Sequence, residues 1–241
     1  MIAATFCIGR NPRQSIDWCS AGSPAGSCTF QELVDIMRIV GFNTNEGFRL
    51  GVVEGDEIPY RPAALAKKME NQKNWLTADP EIKCYLPGVP RATYMPYPFQ
   101  IFQSASALFI AYEYDGAVRN IYLKDPGPAP VDSWMGQSVA RWDKDTLVVD
   151  VTGLNDQSWF DRSGNFHSEA MHVVERYTRT SPDVISYEAT IEDPNVFTRP
   201  WKISMPLYRR QEKNAQIMDF KCVEFVEELL YGEWRKQPLT R

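Results

Sequence analysis

Apolar and polar positions alternate in twos through most of the second half of the chain. Leu108, Ile110, Tyr112 and Tyr114 alternate with Phe109, Ala111 and Glu113, and Val118–Leu123 is a further apolar run that stops at Asp125-Pro126-Gly127-Pro128. After the turn signal Asp143-Lys144-Asp145, Leu147, Val149 and Val151 share a face. Ile185, Tyr187, Ala189 and Ile191 do the same, and Phe197, Trp201, Ile203, Met205 and Leu207 mark one face of 197–208. Period-two runs rich in β-branched and aromatic residues predict half-buried strands. Short turns between them predict an antiparallel meander of about eight strands, which must curl or close on itself. The expected fold is mostly β: a barrel or strongly curved sheet, lipocalin-like in outline, with two or three short peripheral helices.

The first half reads differently. Residues 1–28 carry Ser, Gly, Pro and Cys with weak periodicity, and are expected to be an irregular arm. Thr29-Phe30-Gln31-Glu32 fits a capping box, and Leu33, Ile36, Met37 and Val40 follow at helical spacing, so a helix is expected over 30–40. Pro62 opens a run of helix formers, Ala63 to Glu70, which predicts a helix over 61–75. Pro80, Pro87, Pro90, Pro96 and Pro98 then keep the chain extended or turning. At the far end, Val223 to Leu230 carries apolar positions three and four apart, the mark of a short C-terminal helix over 223–236. With no repeat or linker, one domain is expected: the arm, a helical and extended cap over 30–98, a barrel-like core over 99–222, and that last helix.

Bulk properties narrow the function. The chain has 241 residues and a net charge of −5, with charges of both signs interspersed. A nucleic-acid binder needs a basic footprint, and none is present. No long apolar run suggests a membrane span, and no basic start followed by an apolar stretch suggests a secretory leader, so the expectation is cytoplasmic. Cys7, Cys19, Cys28, Cys84 and Cys222 are odd in number, widely spaced and without a C-x-x-C pair, which reads as free thiols in a reducing compartment. Aromatic residues reach 12%, enough to fill a core and also to wall a pocket for a flat apolar ligand. No G-x-G-x-x-G, P-loop or G-x-S-x-G is present, so dinucleotide, kinase and α/β-hydrolase chemistry are not expected.

Candidate chemistry concentrates between Asp161 and Glu175. The only two histidines, His167 and His172, lie here among Asp161, Arg162, Glu169 and Glu175. Imidazole titrates near neutrality and suits proton transfer. A strand beginning near His167 would put His167, Glu169, Met171, Val173, Glu175 and Tyr177 on one face, with His172 on the other. Asp161 or Glu169 would orient the imidazole. H-x-E-x-x-H lacks the i, i+4 spacing of a helical zinc pair, so no metal and no cofactor are expected. A second cluster, Arg91 with Tyr94 and Tyr97, would supply stabilisers of developing negative charge at a barrel mouth. Trp134, Trp159, Tyr97, Tyr112, Tyr177 and Trp201 are the candidate walls of a substrate pocket.

Arg141-Trp142-Asp143-Lys144-Asp145-Thr146-Leu147-Val148-Val149-Asp150 is followed by Asn155-Asp156, Trp159, His167-Ser168-Glu169 and Asp193-Pro194-Asn195-Val196-Phe197-Thr198-Arg199-Pro200-Trp201. In these segments the chain resembles a large family of uncharacterised bacterial β-rich proteins. Gly88-Val89-Pro90-Arg91 and Pro96-Tyr97-Pro98-Phe99 also look like that family. The resemblance covers roughly residues 82–210 and implies a β-rich fold, but no activity. The residues themselves point to a cofactor-independent acid–base enzyme, a lyase, isomerase or hydratase, acting on a small apolar, aromatic molecule such as a lignin-like diol. A non-catalytic carrier barrel and a metal-assisted hydrolase are the alternatives, and homo-oligomerisation is left open.

Overall fold

The computed structural model describes residues 2–8, 52–55, 57–212 and 215–226. Eight strands run from residue 99 to residue 209: β3 (Phe99–Gln103), β4 (Ala107–Tyr112), β5 (Val118–Tyr122), β6 (Gln137–Asp143), β7 (Thr146–Thr152), β8 (His172–Ser181), β9 (Val184–Glu192) and β10 (Trp201–Arg209). Each pairs with its neighbour in sequence, and the resulting sheet curls into a half-barrel. Two earlier strands complete it, β1 (Ile2–Ile8) and β2 (Val52–Val53). β1 pairs with β3 through residues 2–6 and with β10 through residues 6–8, so it bridges the two ends of the curl. The start of the expected irregular arm is therefore a strand. The helix expected over 30–40 and most of the C-terminal helix lie outside the described residues.

The expected meander is right in eight strands and departs from antiparallel pairing at one place. β5 and β6 run parallel, matched only at Ile121 with Ser138 and Tyr122 with Val139. Parallel neighbours need a crossover, and the proline-rich segment 123–136 supplies it without a helix. That segment leaves a cleft of about 270 Å³ on the outer face of β5, lined by Val118, Asn120, Tyr122 and Val131 among others.

Three short helices accompany the sheet. Helix α1 (Pro62–Lys73) starts at the proline that the sequence marked, and α2 (Trp75–Ala78) follows after Asn74. A single helical turn, α3 (Arg91–Tyr94), interrupts the segment expected to be only extended or turning. Pro90 can enter such a turn, and Met95 returns to extended backbone ahead of Pro96, as a residue before proline must. Tyr114 leaves the alternating pattern of β4 for a 3-10 turn (Tyr114–Gly116), because Asp115 and Gly116 both adopt positive φ.

Register places the interior row by row. Val149, Glu175, Ala189 and Ile203 lie opposite one another on β7 to β10, and Val151, Val173, Ile191 and Trp201 form the next row. Nearly all are fully buried. Glu175 is the exception to an apolar interior. It forms an ion pair with Arg119 and accepts hydrogen bonds from the hydroxyls of Tyr177 (3.1 Å) and Tyr187 (2.7 Å). Arg119 Nε donates to Ser138 Oγ at 2.8 Å. The small side chain of Ala189 beside Glu175 leaves room for this cluster.

The registers also show which connections share an end of the barrel. β3, β5, β8 and β10 begin at one end, and β4, β7 and β9 finish there. The segments 79–98, 153–171 and 193–200 therefore all gather over the same mouth.

One expectation about the cysteines is overturned. Cys84 and Cys222 form a disulfide, with Cα atoms 5.6 Å apart across a sequence separation of 138. No local spacing could reveal a pair so distant. Cys7, Cys19 and Cys28 are not described at the side-chain level.

Removing one partner of a buried ion pair leaves the other charge uncompensated, at a cost of about 3–5 kcal/mol. Glu175→Ala should therefore lower the unfolding free energy by that order, read as a lower urea midpoint at unchanged slope. An unchanged midpoint would mean that the interior network does not support the fold.

Candidate functional site

The segment joining β7 to β8 carries a miniature hairpin over the barrel mouth. Trp159 and Phe166 form an antiparallel bridge, and Phe160 N–H donates to Asn165 C=O at 2.7 Å. Its turn is built by Asp161. The carboxylate accepts N–H bonds from Ser163 (2.9 Å) and Asn165 (3.4 Å) and a side-chain bond from Asn165 Nδ2 (2.7 Å). Aspartate closes turns in this way by mimicking a backbone acceptor. Gly164 adopts φ +79°, and a Cβ there would meet Gln72 N of α1 at 2.5 Å, so only glycine lets the turn dock on the helix. Asn165 Oδ1 accepts a bond from Tyr60 Oη at 2.9 Å.

In this register the next pair outward is Ser158 and His167. His167 Nε2 lies 2.9 Å from Ser158 Oγ, and Nδ1 lies 3.1 Å from the Ser168 carbonyl oxygen. A carbonyl only accepts, so Nδ1 carries the proton and Nε2 accepts from the Ser158 hydroxyl. The carbonyl is itself fixed. Ser168 donates from its backbone N–H (2.6 Å) and its hydroxyl (2.9 Å) to Asp193, which is buried in the β9–β10 connection. Asp193 thus positions the imidazole through Ser168.

The expected orienting carboxylates sit elsewhere. Asp161 is committed to its turn, and Glu169 is exposed. The strand expected to begin near His167 begins at His172, because the clamp on Ser168 bends the chain first. Val173, Glu175 and Tyr177 share the inward face as the alternation required, while His172 lies on the outer face beside Asp150, 3.0 Å away. His167, Glu169 and His172 do not converge.

Arg91 and Tyr94 brace the hairpin from below. Arg91 pairs with both oxygens of Asp79 (3.0 and 3.1 Å) and with Glu81, and its Nη1 donates to the Trp159 carbonyl at 3.3 Å. Burial pushes the Glu81 carboxyl up, but Arg91 and Arg162 outweigh it and hold it below the ordinary range. Tyr94 Oη donates to the Phe160 carbonyl at 2.8 Å. These groups fix the carbonyls of the two residues that follow Ser158.

The proposed ring walls divide into three sets. Trp159 and Trp201 belong to the hairpin region, where Phe160 packs on the His167 ring at 5.4 Å and on Trp201 at 5.4 Å. Trp201 Nε1 is buried without a hydrogen-bond partner among the described residues. Tyr112 and Tyr177 lie in the barrel interior by the Arg119–Glu175 pair. Tyr97 packs at a tilt on Tyr114 and edge-on against Phe220, and Trp134 packs at a tilt on Tyr85, outside both groups.

Sequence reasoning missed Ser158, Ser168, Asp193 and Gly88. Their signal was present only as neighbourhood: Ser168 directly follows His167, and Asp193 opens the proline-containing segment 193–201.

Compared with known proteins, the chain matches no family model, no curated protein and no solved structure.

Burial holds His167 below its ordinary value of 6.5, against the opposing pull of the Ser168 carbonyl bond. The unfolded chain therefore takes up this proton first as pH falls below about 6.5, and native stability drops. Asp161 acts in the opposite sense, since burial pushes its carboxyl up to about 6 and its contribution is lost as pH rises through that value. The difference between wild type and His167→Gln isolates the imidazole. Thermal melts should show wild type losing more stability than the variant between pH 7 and pH 5. Parallel profiles would contradict a buried neutral imidazole.

Proposed function

We propose that this protein is a cofactor-independent acid–base enzyme that acts on a small aromatic molecule at the capped mouth of its barrel. His167 is the proton-transfer group and Ser158 its relay. The observation that carries this reading is the oriented pair: a neutral imidazole whose Nδ1–H is held by a backbone carbonyl and whose Nε2 accepts from a serine hydroxyl. Nucleophile or relay, base and orienter in hydrogen-bond sequence are what proton-transfer sites require.

The chemistry follows from the arrangement. A substrate proton passes to Ser158 Oγ as the serine proton passes to Nε2. The imidazolium so formed faces Ser168, whose carbonyl accepts its Nδ1–H and whose other polar groups are held by the Asp193 carboxylate. Asp193 stabilises that positive charge through space as well. Reversing the transfer returns the proton to a different substrate atom, which serves lyases, isomerases and hydratases alike. Phe160, Phe197 and Trp201 give the neighbourhood an aromatic surface, with rings 5.4 Å apart in edge contact at Trp201. The unpartnered Trp201 N–H suits a substrate oxygen.

A panel of small aromatic alcohols and diols, incubated with protein in deuterated water and followed by proton NMR, tests the proposal. Wild type should convert or exchange at least one of them, and His167→Gln should lower that rate roughly 10²–10⁴-fold while leaving ligand-induced tryptophan fluorescence in place. Equal rates in both proteins would overturn it. Binding without any turnover would establish the carrier reading instead.

A further inference from the structure

A proton-transfer pair must meet its substrate, yet Ser158 is 3% and His167 2% exposed. The segment pressed directly on Ser158, the hydrogen-bond partner of His167, is 79–90, which joins α2 to α3. Gly88 is its point of contact, since a Cβ there would fall 2.3 Å from Ser158 Oγ, and its φ is +72°. Val89 and Pro90 beside it are buried as well.

This segment is held at its two ends by different means. Near its base, Asp79 binds the Arg91 guanidinium. Its outer bend, Pro80 to Tyr85, is held by the C-terminal stretch 215–226. Cys84 is bonded to Cys222, Phe225 N–H donates to the Ile82 carbonyl at 2.8 Å, and Tyr114 Oη donates to the Glu81 carbonyl at 3.2 Å. The stretch itself lies across the surface with few anchors. Met218 N–H meets Glu113 Oε2 at 2.9 Å, and Phe220 packs on Tyr97 and Tyr114 at 5.0 Å each. Most of its residues are exposed or half-buried. The disulfide is the one covalent tie between bend and strap.

We propose that residues 79–90 are a lid over Ser158 and His167 and that Cys84–Cys222 is its redox latch, an inference that rests on the reading of that pair as the reacting site. A dithiol reductant opens it. One thiolate attacks a cystine sulfur and the other cysteine leaves as a thiolate that takes up a proton; the second thiolate of the reductant then resolves the mixed disulfide. Two electrons pass to the protein, giving two cysteine thiols and one oxidised reductant. The strap then loses its covalent hold on the bend, and the bend, left with its hydrogen bonds, the Glu81 ion pairs, the burial of Ile82 and the Tyr85–Trp134 ring contact, lifts Gly88 from Ser158.

The two histidines provide the test. His172, whose side chain is 37% exposed, is an internal control for His167. Full-length protein is treated with diethyl pyrocarbonate, and modification of each histidine is followed by peptide mass spectrometry. One sample is oxidised; another is reduced with dithiothreitol and desalted anaerobically. In the oxidised protein only His172 should react at an appreciable rate. Reduction should raise the His167 rate at least tenfold, leave the His172 rate unchanged and preserve the far-UV circular dichroism of the sheet. Cys222→Ser should reproduce the open behaviour without reductant. A His167 rate unaffected by reduction, a His167 already reactive when oxidised, or loss of the sheet signal on reduction would each overturn the latch. None of these readouts needs turnover, so failure of the enzymatic reading is seen separately in the NMR assay, run on the reduced protein and on Cys222→Ser.

Discussion

The turn closed by Asp161 is the constraint on which the candidate site depends. Its carboxylate collects three N–H groups and so fixes the register of a hairpin only a few residues long. Register decides everything downstream, because a slip of one residue exchanges the faces of a paired segment. With Trp159 opposite Phe166, Ser158 and His167 must be opposite each other, and no separate interaction is needed to bring them together. A carboxylate that sequence reasoning assigned to chemistry thus serves geometry, and its effect on the imidazole is exerted through the backbone.

The site and the barrel below it solve the problem of buried charge in different ways. In the interior, Glu175 and Arg119 neutralise each other, with tyrosine hydroxyls satisfying the remaining acceptor capacity. At the mouth, Arg91 is shared by Asp79 and Glu81, and Arg162 adds a second cation to Glu81 from the hairpin turn. Both arrangements obey the rule that buried charge must be paired. The mouth network additionally links the chain at 79–81, 91 and 159–162.

Much of the fold was legible because it is repetitive. Alternation over 108–112, 147–151 and 185–191 fixed strand positions and their buried faces, and it correctly turned Glu175 and Tyr177 inward. The helix at Pro62 followed from a single well-placed proline. The parallel pairing of β5 with β6 was not legible, since periodicity is blind to strand direction. Nor was the partner of His167. The imidazole and its region were conspicuous, but serine is too common to attract notice at position 158, and a carboxylate acting from 193 through a backbone carbonyl has no local signature. The disulfide between 84 and 222 lay beyond any spacing argument for the same reason.

β1 has a consequence for how the molecule assembles. Its pairings with β3 and β10 make a seam between residues 2–8 and residues near 207, so the curl cannot be sealed until β10 has been synthesised. Such far-apart pairings slow the final folding step. Until that strand docks, one long border of β3 and part of that of β10 stay open, each offering unpaired amides and carbonyls to any neighbouring chain. The chain is thus open to self-association until β1 is in place, and deleting residues 2–8 would make that vulnerable stage permanent.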